Sequence, residues 1–128
     1  MAGPAAPLAA FLVEDNALIR EQLILTLEEL VDLRVAAWAD SEEDAARWLR
    51  QHPDGWELAV IDLFLREGSG LGVLAACRRR RPRQRAVVLT NYADPGIRGR
   101  CLAMGADAVF DKSTELEAFL GFCGAPAV

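Results

Sequence analysis

Several apolar runs in this sequence end on polar residues of kinds that do chemistry together. The run Leu8–Val13 stops at Glu14-Asp15, and Leu58–Leu65 carries a single charge, Asp62. The run Ala86–Leu89 is closed by Thr90, and Ala106–Phe110 leads into Asp111-Lys112. Lys112 is the only lysine among 14 basic residues, so a chain that otherwise uses guanidinium keeps one ammonium. Three carboxylates brought together repel, and a hard divalent cation is the usual remedy. Mg2+ suits one or two carboxylates completed by phosphate oxygens and water. A carboxylate is also a competent nucleophile toward phosphorus and, being ionised at neutral pH, needs no general base. Phosphoryl transfer asks a protein mainly for positioning and charge neutralisation. A cation, the Lys112 ammonium and the Thr90 hydroxyl supply both.

Such residues meet only if the elements bearing them lie side by side. The order of patterns is apolar run, then helical period, five times over. Ile19, Leu23, Leu27 and Leu30 recur at near-helical spacing with Asn16 placed as an N-cap. A weaker strand is expected over Arg34–Ala39. Ser41-Glu42-Glu43-Asp44 then reads as a capped, acid-rich helix start, and His52-Pro53 as its end. Leu58–Leu65 reads as one buried strand, followed by a Gly-Ser-Gly turn and a helix through Leu71, Leu74 and Ala75. Asp94-Pro95 opens the fourth helix and Gly105 ends it. Thr114-x-x-Glu117 is read as the cap of the fifth. Five strand–helix pairs predict an α/β fold, a doubly wound parallel sheet covered on both faces with right-handed crossovers. In such sheets ligands bind beyond the carboxyl ends of the strands. That is the edge where Glu14, Asp15, Asp62, Thr90 and Lys112 fall.

The chain of 128 residues is 52% hydrophobic and 26% charged, the balance of one folded domain. Fourteen basic residues against nineteen acidic ones give a net charge of −5, which argues against nucleic acid or an anionic membrane as a partner. Cys77, Cys101 and Cys123 are far apart, and His52 is the single histidine. No zinc set or disulfide framework is expected, and buried thiols in a reducing cytoplasm are. The first ten residues lack the basic start of a signal peptide, and no apolar run has membrane length. The arginine run Arg78–Arg81 with Arg83 is read as a solvated basic face near a helix C-terminus. Trp38, Trp48, Trp56 and Tyr92 are read as packing residues, with Tyr92 near the edge of the site.

Four stretches in order, Phe-Leu-Val-Glu-Asp-Asn, Val-Ile-Asp-Leu-Phe-Leu, Val-Val-Leu-Thr-Asn-Tyr and Gly-Ala-Asp-Ala-Val-Phe-Asp-Lys-Ser, resemble the receiver domain of two-component response regulators, the CheY-like family. The resemblance covers residues 8–121, leaving tails at 1–7 and 122–128. It implies a (βα)5 flavodoxin-like sheet with strand order 2-1-3-4-5. It also implies Asp62 as phosphoacceptor, and Glu14, Asp15, Asp62 and the Phe64 backbone carbonyl as Mg2+ ligands. Thr90 becomes the switch hydroxyl and Lys112 the phosphate-pairing lysine. The donor would be a phosphohistidine on a sensor histidine kinase or a histidine phosphotransfer protein. The domain would be a signalling phosphoacceptor in the cytoplasm, not an enzyme with a separate substrate, acting on a downstream protein.

Three positions depart from the family pattern. Ser113 stands where a proline often follows the lysine, Val109 where the switch aromatic is usual, and Asn91 where a very small residue is usual. Phe110, one place later, is expected on the opposite face of its strand. Output is therefore expected through the loop Asn91–Asp94, with Tyr92 as the moving aromatic.

Particular residues separate this reading from other functions. An aspartyl-phosphate hydrolase needs a second acid two places after the nucleophile, where Phe64 stands. A flavodoxin-like cofactor binder needs a Ser/Thr/Gly-rich first loop, whereas Glu14-Asp15 repels phosphate. A pseudo-receiver acting as a phosphorylation-independent interaction module fits Val109 and Asn91 but not the intact acids, Thr90 and Lys112.

Overall fold

The sheet begins with an apolar segment that has no polar face to offer water. Leu8–Val13 forms β1, whose last four residues are buried. Continuous apolar strands of this kind are the mark of a parallel sheet covered on both sides. The computed structural model describes residues 7–125. The remaining elements in chain order are α1 (Ala17–Leu30), β2 (Leu33–Ala39), α2 (Glu42–Gln51), β3 (Leu58–Ile61), α3 (Gly70–Ala76), β4 (Arg85–Thr90), α4 (Pro95–Ala103), β5 (Ala108–Asp111) and α5 (Leu116–Gly124). All four strand pairings are parallel, in the order β2-β1-β3-β4-β5.

Side chains alternate across the sheet and divide the core in two. Phe11, Val13, Ala59, Ile61, Val88 and Val109 pack with Ala45 and Leu49 of α2, Val73 and Leu74 of α3 and Cys101 of α4. Ala10, Leu12, Leu58, Val60, Val87 and Leu89 pack with Leu27 of α1 and with Phe119 and Cys123 of α5. Each buried Leu or Phe contributes about 1.5–3 kcal/mol. The three thiols are free and buried.

Local chemistry fixes where the helices start. The side chains of Asn16, Ser41, Ser69 and Asp94 accept from the amides of Ile19, Asp44, Leu71 and Ile97. Each satisfies a donor that the first helical turn leaves orphaned. Gly105, with φ +105°, lets the chain leave α4 in a conformation other residues avoid.

Several expectations need correction. The apolar run Leu58–Leu65 is strand only as far as Ile61. The chain then turns back on itself, with the Gly70 amide donating to the Leu63 carbonyl (2.8 Å) and Phe64 bridging Ser69. Asp62 therefore stands just past the strand end, not within it. Thr114 does not cap α5. The Asp111 carboxylate takes the amides of Ser113 (2.7 Å) and Thr114 (3.2 Å), and Glu115 begins the helix without a side-chain cap. The helix runs past residue 121 to Gly124 and buries Cys123.

Trp38 is not a core residue but half exposed, with the Arg20 guanidinium 3.7 Å above its ring. The strand is irregular here: Ala10 pairs with Val35 and Phe11 with Ala37, so Ala36 is skipped, and Leu33 and Val35 join one core layer while Ala37 and Ala39 join the other. Arg80 also leaves the solvated face. It donates to the carbonyls of Cys77, Gln84 and Gly105 and to the Asp107 carboxylate.

Candidate functional site

The strands end at nearly one level, and backbone pairing carries the register one step further. The Glu14 amide donates to the Ala39 carbonyl (3.1 Å), the Asp62 amide to the Val13 carbonyl (2.9 Å), and the Lys112 amide to the Thr90 carbonyl (2.9 Å). The side chains expected from the sequence are thus delivered by the sheet itself. One carboxylate oxygen from each of Glu14, Asp15 and Asp62 lies within 4.8 Å of the others.

Lys112 reaches into this group. Its Nζ donates to Glu14 Oε1 at 2.7 Å and lies 3.5 Å from Asp62 Oδ2. Glu14 is almost fully buried, and its second oxygen accepts from the Asn16 amide (3.1 Å). Asp15 Oδ2 accepts from the Arg66 amide (2.7 Å). Three carboxylates face one ammonium. Asp62 carries the consequence: burial first of all pushes its carboxyl up from the ordinary 3.8 to about 7. Lys112 pulls the other way, and the charges of Glu14 and Asp15 add to the rise. A divalent cation would balance the charge that Lys112 leaves over, so the donor set fits Mg2+.

Thr90 is fully buried at the end of β4, and its Oγ1 accepts from the Tyr92 amide (3.3 Å). The Phe64 side chain is half exposed and meets Tyr92 edge-on, with ring centroids 4.9 Å apart. Beside the pair an open groove of about 770 Å3 runs between Asn91–Asp94, Ile97 and Asp111. Tyr92 is therefore a surface aromatic rather than a packing residue. Val109 is buried against the α4 side, whereas Phe110 lies on the other face with Phe119 and Phe122, as strand alternation requires. Ser113 holds the turn after Lys112 by donating its backbone N–H to the Asp111 carboxylate, a donor that proline lacks.

Some participants were not legible beforehand. Arg20 Nη1 donates to the Glu14 carbonyl (3.0 Å) while stacking on Trp38. The Arg66 amide orients Asp15. Gly70 permits α3 to approach the chain just after Asp62: a Cβ there would lie 2.4 Å from the Asp62 carbonyl oxygen. The Gly-Ser-Gly stretch carries this signal, but its composition is equally that of an ordinary turn.

Known proteins share both pattern and shape. The response regulator receiver domain family matches residues 10–121. The photosynthetic apparatus regulatory protein RegA of Rhodobacter capsulatus is 44% identical over 57 residues, which are 44% of this chain and 31% of RegA. The match thus spans about a third of that protein's length. A chain of the CheX–CheY–BeF3–Mg2+ complex from Borrelia burgdorferi superposes with a TM-score of 0.79 at 16% identity, covering 90% of this chain and 85% of that one. A Burkholderia pseudomallei response regulator with a phosphorylated aspartic acid gives 0.75 at 25% identity, over 90% and 65% of the two chains. The family match begins inside the first strand and ends inside the last helix, so it spans every element that positions the five polar residues. The chain belongs to the response regulator receiver domain family.

Proposed function

We propose that Asp62 accepts a phosphoryl group from a phosphohistidine on a sensor histidine kinase or a histidine phosphotransfer protein, in a Mg2+-dependent reaction. The observation that carries this reading is the position of Lys112, one ammonium within reach of both Glu14 and Asp62. In the transfer an Asp62 carboxylate oxygen forms the bond to phosphorus as the bond from phosphorus to the histidine nitrogen breaks, and the imidazole leaves. Glu14, Asp15, Asp62 and the Phe64 carbonyl would hold the cation, which supplies charge neutralisation to the phosphoryl oxygens. Lys112 pairs with one phosphoryl oxygen, turning from its carboxylate partner to do so. Thr90 donates its hydroxyl to another, releasing the Tyr92 amide.

The phosphorylated domain, spanning residues 8–121 with the rest of α5, signals by protein contact rather than by turning over a separate substrate. Partners are the phosphodonor and a downstream protein, not nucleic acid or membrane. Among the described residues no helix is long and apolar enough to cross a bilayer. The free buried thiols and a phosphohistidine donor both suit the cytoplasm.

Intact mass after incubation with acetyl phosphate and Mg2+ tests the reading. The wild type gains one phosphoryl group and Asp62→Asn gains none; equal labelling of the two overturns it. In metal-only titrations Mg2+ raises the melting temperature of the wild type, and Asp15→Ala loses that response.

A further inference from the structure

Val109 leaves the output side of the site without the ring that the family pattern provides, yet its backbone is not idle. Arg98, in the first turns of α4, donates from Nη1 to the Val109 carbonyl (2.8 Å). Its Nε donates to the Ala93 carbonyl (2.9 Å), in the loop that follows Thr90. Its Nη2 pairs with Glu115 Oε1 at the start of α5. The same Glu115 oxygen accepts from the Asp111 amide (3.0 Å), next to Lys112. Three donors of one planar group thus hold three separate elements. A guanidinium has the fixed fork this requires; an ammonium does not. The bond from Arg98, followed by the one from Asp111, holds the Glu115 carboxyl below its usual range.

The helix bearing Arg98 depends on these bonds more than most. It has nine residues, among them Gly96 and Gly99. A Cβ at Gly99 would meet nothing within 4 Å, so no close approach demands a glycine there. Each interior glycine costs a helix about 1 kcal/mol relative to alanine. Intrinsic propensity therefore does little to fix α4. Its cap at Asp94, the burial of Cys101 and the Arg98 fork hold it in place.

We infer that Arg98 is a positioning residue that ties the Thr90–Ala93 loop to the β5–α5 turn bearing Lys112, so that the two sides of the phosphoryl site move as one. This deepens the phosphoacceptor reading and rests on it for the response to phosphorylation only. When the Thr90 hydroxyl turns to a phosphoryl oxygen, the Tyr92 amide loses its acceptor and the loop shifts. Ala93 then draws on the fork, and the displacement reaches Val109 and Glu115 without an aromatic.

Hydrogen exchange resolved by segment tests the tie in two arms, with Arg98→Gln as the variant. Without phosphodonor, the substitution raises exchange at both 91–97 and 109–117 by about tenfold, while β1 and β3 keep wild-type rates. A rise confined to α4, or one spread evenly over the sheet, overturns the inference, because either is what loss of a merely stabilising contact produces. The charge swap Arg98→Glu with Glu115→Arg restores the ion pair but not the donors to the two carbonyls, and is expected not to restore protection at 91–94; full restoration also overturns it. In the second arm, acetyl phosphate changes exchange in both segments of the wild type. In Arg98→Gln, with Asp62 labelled as judged by mass, the change stops at residue 97. A wild-type response at 109–117 in that labelled variant refutes the coupling. Failure to label the wild type counts against the phosphoacceptor reading alone, and the first arm still decides the tie.

Discussion

Along the α3 flank of the site Gly68, Gly70 and Gly72 are hemmed in, whereas along the α4 flank Gly96 and Gly99 touch almost nothing. A Cβ at Gly70 would strike the backbone after Asp62. At Gly72 it would strike the Glu42 carboxylate, which accepts from the Ser69 amide (2.8 Å). Gly68, at φ +84°, sits over the same Glu42 side chain. Glu42 also donates its amide to the Glu67 carbonyl (3.1 Å), so the first turn of α2 clamps the loop that follows Asp62. The α4 flank has a capped but glycine-diluted helix tethered by one arginine. The same residue type marks close packing on one side and weak helical preference on the other. Asp62 is held by a fixed frame, and the Thr90 hydroxyl stands beside a frame that can give.

The largest expected effect comes from the fixed side, because Asp62 is buried beside two other carboxylates. Its folded pKa is raised, so between the ordinary 3.8 and about 7 the unfolded chain loses a proton that the folded chain keeps. The contribution of this group to stability is therefore fully present at low pH and is lost as pH rises through that window. Asp62→Asn does not titrate and should gain on the wild type by on the order of 4 kcal/mol across the window, at about 1.4 kcal/mol per pKa unit. Urea denaturation in metal-free buffer measures it, and Mg2+ should narrow the gap. Parallel pH profiles for the two proteins would mean that the carboxylate is not confined.

Gly70→Ala comes next. Overpacking against backbone should cost about 3 kcal/mol, and phosphorylation of whatever remains folded should slow as Asp62 is displaced. Gly99→Ala is the matching substitution on the other flank and should stabilise by about 1 kcal/mol. The contrast between the flanks breaks if the two alanines shift the denaturation midpoint in the same direction. The smallest effect concerns the one aromatic contact between the flanks, Phe64 with Tyr92. A double-mutant cycle to leucine should return a coupling of about 0.5 kcal/mol. If phosphorylation moves the Tyr92 side alone, that coupling should vanish in the labelled protein.

Much of this was legible in the sequence because polar residues that interrupt apolar runs are conspicuous. Asp62 and the Glu14-Asp15 pair stood out in that way, and Asn16, Ser41 and Asp94 announced their helices by cap chemistry. Strand order was not written in any period; it came with the family resemblance, and the observed order agrees. The apolar run through Leu65 hid the end of β3, because hydrophobicity does not register where a ladder stops. Thr114 had the spacing of a cap, but Asp111 folds the turn by accepting the Ser113 and Thr114 amides, and Glu115 takes the cap position instead. Arg20, Arg80 and Arg98 were invisible as individuals. Their partners are mostly backbone carbonyls, which every residue has, and only the folded chain says which ones an arginine can reach.

The skipped residue in β2 has a consequence for the company the molecule keeps. A strand on the border of a sheet presents unsatisfied amides and carbonyls, an invitation for another chain to add itself. Here the pairing register slips at Ala36, and the nearby Val35 amide is already engaged by the Glu28 carboxylate at 3.0 Å. Arg34 adds a solvent-facing charge on the same strand. Irregular, partly satisfied and charged, this border is a poor template for lateral growth.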